Sequence, residues 1–345
     1  MKKVCFFSSD ARPLYKKDIF RVMSYPNNYT IHFRFQAKYI EGDPLQLKGK
    51  DGMIFFSIGN DLSIEESKRS VDHVSIRDIT VFYVDRSEDT GLVHFYLKLG
   101  DFRTVTITEK DTSKLPPNKF VTEIEITESA IAKWYEIIDL IKPSFINQLF
   151  YKFQLVDKGK NQVLNPRFNE TEKQSFYYLF DETSYGLDMA FYDTEKIDSD
   201  NYHSLRIMPL DKELINVVAP EKIEIESRKD NRVYGIVTST ISSSSLFTYL
   251  NFETISNINT SGSEQNSMPV VDTTLKIEIA KSKNRTFAFA FFSVLAAFSV
   301  GYAKILSDEI KLDGVFSWSL ALRFLIPAIT GFLAAFQLYR LFDKK

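Results

Sequence analysis

The chain holds a single cysteine, Cys5, among 345 residues. One thiol cannot close an intrachain disulfide, which suits a reducing compartment. It also excludes a multi-thiolate zinc or iron–sulfur centre within one chain. Histidine is almost as scarce. His32, His73, His94 and His203 show no metal-ligand spacing and no HExxH is present, so each reads as a polar strand or loop residue and no metal is expected. The nucleophile elbow GxSxG and the Gly-rich phosphate cradles are missing as well, which removes the usual signatures of α/β-hydrolases and nucleotide-binding folds. No cofactor is expected. A cleavable leader is not expected either: MKKVCFFSSDARPLY has four apolar residues in a row after its lysines, where a secretory signal needs about 7–15.

Charge of one sign is also missing, since the formal total is -2. That speaks against a general polyanion binder, and nucleic acid is not an expected partner. The distribution is uneven. Residues 1–50 carry ten Lys/Arg against four Asp/Glu.

Period-two alternation dominates residues 1–254. In YTIHFRFQAKYI (29–40), Ile31, Phe33, Phe35, Ala37 and Tyr39 alternate with Thr30, His32, Arg34, Gln36 and Lys38, which predicts a strand with one apolar face. Similar runs occur at 52–59, 79–84, 92–99, 120–127, 175–180, 222–227 and 233–238. Helices are expected at 12–24, with Pro13 in the first turn, and at 128–141, ended by Lys142-Pro143. The predicted class is mainly β (α+β), sandwich- or barrel-like. Its expected domains are 1–142 and 143–254, followed by a Ser/Asn-rich linker over 255–275.

Two stretches then change character. TFAFAFFSVLAAFSVGYA (286–303) is uncharged over 18 residues, long enough to approach a 30 Å bilayer core. This predicts transmembrane helices over 286–306 and 319–342 with a short outer loop at 307–318. Lys276, Lys281, Lys283 and Arg285 precede the pair, and Arg340, Lys344 and Lys345 follow it. The positive-inside rule therefore places both termini in the cytoplasm, with the hairpin in the plasma (inner) membrane. Small and polar residues recur at helical spacing: Ser293, Ala297, Gly301 and Lys304 in the first segment, Arg323, Thr330, Ala334 and Gln337 in the second. Such stripes let helices approach closely in lipid, so the bilayer and a second copy of the chain are expected partners. Arg323 sits about four residues inside the second segment, where its head can snorkel to water.

Carboxylates in TEIEITE (122–128) and EKIEIE (221–226) alternate with isoleucine, which makes them the solvent faces of strands rather than a catalytic pair. The best candidate ligand surface is the basic N-terminal part. Ser8, Ser9 and Arg12 link an apolar strand to a helix start, with Lys16 beyond it, and His32, Arg34 and Lys38 share a strand face. Free helix N–H groups and nearby cations suit an anion.

In layout the chain resembles two-span membrane effectors of bacterial antiviral defence, an architectural likeness that implies a cytoplasmic sensing part and assembling hairpins. Three functions are expected in that order: a non-enzymatic sensor/effector that binds an unidentified ligand or protein, a passive membrane scaffold, and a membrane-tethered hydrolase.

Overall fold

A computed structural model describes residues 2–58, 72–87, 89–105, 119–126, 128–145, 147–194, 202–257, 270–282, 287, 290–302, 304, 329 and 331–333. The protein is mainly β, with three multistranded sheets. Its contacts divide it into two compact units, one of Met1–Thr240 with Leu246–Ile279, the other of Ile241–Ser245 with Ala280–Lys345.

The seven-stranded sheet is built from β1 (Lys2–Ser9), β2 (Thr30–Gln36), β3 (Asp51–Ile58), β4 (Asp72–Arg86), β5 (Leu92–Val105), β6 (Val121–Glu125) and β7 (Ser129–Ile131). Its order is β2-β5-β4-β3-β1-β6, with β7 paired to β5. The continuous run VCFF makes β1 an interior strand buried on both faces. It lies parallel to β3 and antiparallel to β6. The parallel step requires a crossover, which α1 (Pro13–Ser24) begins. Gly52 serves the close approach of β1 and β3, since a Cβ there would lie 2.3 Å from the Val4 carbonyl oxygen.

Two expected elements are shorter than their sequence patterns. The strand expected over 29–40 leaves the sheet at Gln36, and Ala37–Tyr39 form a 3-10 turn. Gln36 pairs with Leu92, the first residue of β5, so no partner strand continues beside it. The helix expected over 128–141 begins only at Trp134. Ser129–Ile131 pair with β5 as β7, and α2 (Trp134–Ile141) is started by Glu136, whose carboxylate accepts from the Lys133 N–H at 2.9 Å.

Strands after residue 143 form two further sheets. One comprises β8 (Leu149–Asp157), β9 (Gln162–Val163), β12 (Ser184–Asp193), β14 (Ile215–Val218) and β16 (Lys229–Thr238). The other comprises β10 (Arg167–Asn169), β11 (Gln174–Phe180), β13 (Tyr202–Pro209), β15 (Ile223–Glu224), β17 (Ser245–Asn257) and β18 (Val270–Ala280). Their inner faces meet: Phe252 stacks on Phe153 at 4.7 Å, and the Tyr151 hydroxyl lies 2.7 Å from Thr273 Oγ1. The expected linker over 255–275 is corrected at both ends. Ile255 belongs to β17, and Val270 onward is β18, which sits between β11 and β17. Leu275, Ile277 and Ile279 are buried at strand spacing, so this alternation outweighs the polar composition beside it. Residues 258–269 lie outside the described residues.

In the second unit residues 290–302 are helical, about 20 Å at helical rise. Among the described residues no helix is long and apolar enough to cross a membrane. The expected outer loop and most of the second expected span lie outside the described residues, as do Arg323, Thr330, Ala334 and Gln337.

Candidate ligand-binding site

Within the first unit, a cavity of about 870 Å³ lies against the outer face of β8, β12 and β16. The pleat puts Lys152 on that face, because Tyr151 and Phe153 turn into the core. Opposite stand the turn Tyr25–Asn27, Phe102 at the end of β5, and Ile131–Tyr135. Ile131, Val163 and Val233 contribute exposed apolar surface to the rim.

Five cations and three acids line this cavity. Two of the acids are engaged: Asp230 accepts from Arg232 Nε at 2.8 Å, and Asp101 accepts from Asn27 Nδ2 at 2.7 Å. Arg77 is 1% exposed. It donates to the carbonyls of Gly100 (2.6 Å), Val22 (2.8 Å) and Tyr25 (2.7 Å), and to Asn27 Oδ1. Its guanidinium also lies 4.4 Å from the Phe102 ring centre. Burial pushes its pKa down to about 9, so it stays charged at neutral pH with acceptors at every nitrogen but no salt bridge to a described carboxylate.

Lys152 differs. It is half-buried, and its ammonium lies 5.6 Å from the Trp134 ring centre. It makes no hydrogen bond or salt bridge with a described residue. Burial lowers its pKa, and the nearby Arg77 charge adds to that. Trp134 is fixed beneath it, because its indole N–H donates to the Met23 carbonyl at 2.9 Å. A cation that is partly desolvated, held over a rigid ring and left without a counter-charge suits an incoming anion. The apolar rim suits a ligand with a hydrophobic body.

A second, smaller cavity of about 330 Å³ lies between α1, β2, the start of β11 and β18. Of the seven residues that the sequence pattern selects for an anion, only His32 lines either cavity. Its Nε2 lies 2.8 Å from His94 Nδ1. Ser8 Oγ donates to the Tyr15 carbonyl at 3.2 Å, and Ser9 is buried in β1. Arg12 is exposed beside the Tyr15 ring, Lys16 is half-buried on α1, Arg34 is exposed on β2, and Lys38 lies over the Tyr39 ring. In the second unit Ser293 is half-buried, whereas Ala297, Gly301 and Lys304 are exposed. The buried position there is Ser299, 3% exposed.

Sequence patterns also miss a pair joining β3 and β4. Ser57 Oγ lies 2.8 Å from His73 Nδ1. Ser57 is buried, burial lowers the His73 pKa, and no described carboxylate is hydrogen-bonded to His73. The serine is thus covered while the histidine is half-buried, and among the described residues the pair lacks the orienting acid of a triad. Among the described residues no group of three or more His, Cys, Asp or Glu is placed to hold a metal. Cys5 is buried, and desolvation pushes its thiol up to about 12, which makes it inert as a nucleophile.

No protein-family model matches this chain, and no curated protein matches it. A solved structure described as that of WR4, a C. elegans MSP family member, aligns at 6% identity. The alignment covers 30% of this chain and 92% of that one, with a TM-score of 0.20. A likeness of that extent establishes no shared fold.

Proposed function

We propose that the protein is a non-enzymatic sensor/effector whose β-rich unit binds a small anionic ligand with an apolar body in the 870 Å³ cavity. The observation that carries this reading is Lys152, a partly desolvated ammonium with no hydrogen bond or salt bridge to a described residue, over the fixed Trp134 ring. The two facing sheets of residues 149–280 support a sandwich as the scaffold of this site.

The same proposal makes the second unit the effector, a two-helix hairpin that associates with lipid and with other copies from the cytoplasmic side. Its support is the uncharged run 286–303 and the wide exposure of Phe287, Phe291, Val294, Phe298 and Phe332. Bacterial antiviral defence is the setting that the layout suggests.

Native mass spectrometry of the full chain purified from an expressing cell tests the ligand. A small acidic molecule carried at one per chain, and lost in Lys152→Met, is the expected result. An unliganded wild type, or equal occupancy in a folded variant, would contradict the reading. Ala297→Leu combined with Ala334→Leu tests the effector: reduced membrane damage on overexpression is expected, and an effect-free substitution would leave the scaffold reading in its place.

A further inference from the structure

We infer that the smaller cavity is a second, separate oxyanion site, sized for a phosphoryl, sulfate or carboxylate group, whose occupancy is linked to protonation of His32. The two cavities share Tyr25 and have no other lining residue in common, so this inference does not depend on the ligand of the larger one.

Among the described residues, the wall of the smaller cavity contains Lys17, Arg21 and Lys173 and no carboxylate. Asp18 pairs with Arg21 at 3.6 Å, Asp85 with Lys173, and Glu172 with Lys276. Lys17 is exposed and makes no hydrogen bond or salt bridge with a described residue, and the Gln174 amide makes none either. Hydroxyls fill much of the remaining wall but are engaged. Ser175 Oγ accepts from the Thr30 N–H at 2.9 Å and donates to the Thr30 carbonyl, while Thr274 Oγ1 donates to Asn251 Oδ1 at 3.1 Å. The wall thus presents three cations, of which Arg21 and Lys173 each already hold one carboxylate and Lys17 holds none among the described residues. An oxyanion there gains charge-assisted hydrogen bonds that a neutral guest does not.

The charges around His32 come from each element packed on it. Arg21 comes from α1, Arg34 from β2, His94 from β5 and Lys173 from the turn before β11. All four disfavour a proton on the ring. Asp85 and Tyr83 on β4 are engaged with Lys173, through an ion pair and a cation–π contact at 5.4 Å, and Tyr96 stacks on His32 at 5.0 Å. Burial is the larger effect, and together these influences bring the His32 pKa to about 4. A bound anion reverses the local sign and favours the imidazolium. By linkage, acidification then tightens anion binding.

The test is a titration of the full-length chain, carrying carbon-13 at the histidine ring, with sulfate, which stays a dianion between pH 4 and 8, followed by NMR. The expected result is saturable movement of the His32 signal, an upward shift of its titration midpoint with sulfate, and tighter binding at lower pH. Lys17→Gln and Arg21→Gln should each weaken binding by roughly tenfold, while His32→Gln should keep binding and lose most of its pH dependence. A His32 signal indifferent to sulfate would overturn the inference, as would an unchanged sulfate response in folded Lys17→Gln and Arg21→Gln proteins. Naphthalene-1-sulfonate binding at the larger cavity is read separately, so failure of one site does not imply failure of the other.

Discussion

The Tyr25 ring lies flat on the Tyr29 ring, with centroids 4.1 Å apart and planes 5° from parallel. Tyr25 belongs to the walls of both cavities, and its hydroxyl donates to the Thr274 carbonyl at 2.8 Å. It thus ties the turn after α1 to β18, 249 positions along the chain. Tyr25→Phe should cost about 1 kcal/mol, because the half-buried Thr274 carbonyl loses its donor. Tyr25→Ala should cost about 3–5 kcal/mol by removing a buried ring. Urea unfolding of the two variants measures both. Equal stability of Tyr25→Phe and wild type would show that the hydroxyl bond contributes nothing.

Lys152 gives a pH prediction of definite sign. Burial lowers its pKa in the folded state below the ordinary lysine value of 10.5. The unfolded chain therefore holds this proton more tightly, and stability should rise with pH across the interval below that value. Lys152→Met should flatten this part of the profile and leave the melting temperature at pH 7 unchanged or higher, since an unpaired, partly desolvated charge is removed. A clear loss of stability in Lys152→Met would mean that the ammonium has a structural partner.

His203 and Asp193 form a pair buried to 1% and 0% of their side chains. His203 Nδ1 lies 2.8 Å from Asp193 Oδ2, and Nε2 lies 3.1 Å from the Asn147 carbonyl. Both ring nitrogens thus have an oxygen within hydrogen-bond reach. His203→Ala should cost about 3–5 kcal/mol because it removes a partner from a buried carboxylate. His203→Ala combined with Asp193→Asn should recover part of that. Additive losses in the double-mutant cycle would disprove the coupling.

In the second unit, a Cβ placed on Gly331 would lie 3.4 Å from Ser299 Cβ. The helical residues around 299 and 331 are thus in van der Waals contact through a small pair. Gly331→Ala should be tolerated. Gly331→Leu should separate the segments and expose Ser299, read as faster labelling of a Ser299→Cys protein. The same labelling rate in both Gly331 variants would contradict the contact.

Much of the sheet structure is legible because alternation has a local cause: strands with one covered face repeat every second residue. β18 shows the limit, since its Leu275, Ile277 and Ile279 alternation begins directly after a polar stretch that reads as a linker. The site is less legible still. Lys152 in LFYKFQLVD has the pattern of a solvent-face lysine, and Arg77 in HVSIRDIT that of an ordinary polar-face residue. What makes them functional candidates is a second element laid over each face, Ile131–Trp134 over Lys152 and Tyr25–Asn27 over Arg77. Those contacts join residues far apart in the chain, so no window of sequence contains them. The N-terminal basic cluster shows the reverse, because its charges are local in sequence but Ser8, Arg12 and Lys38 face different surroundings once β1, α1 and β2 are placed.

The most direct test of the central claim is a fluorescence titration of Trp134 with naphthalene-1-sulfonate, an anion with a flat apolar body, in a Trp318→Phe background that leaves one indole. A saturable change at one equivalent per chain, weakened at least roughly tenfold by Lys152→Met and indifferent to Lys17→Gln, is the predicted result. An unsaturable response, or one that survives Lys152→Met at full strength, would contradict ligand binding at this cavity.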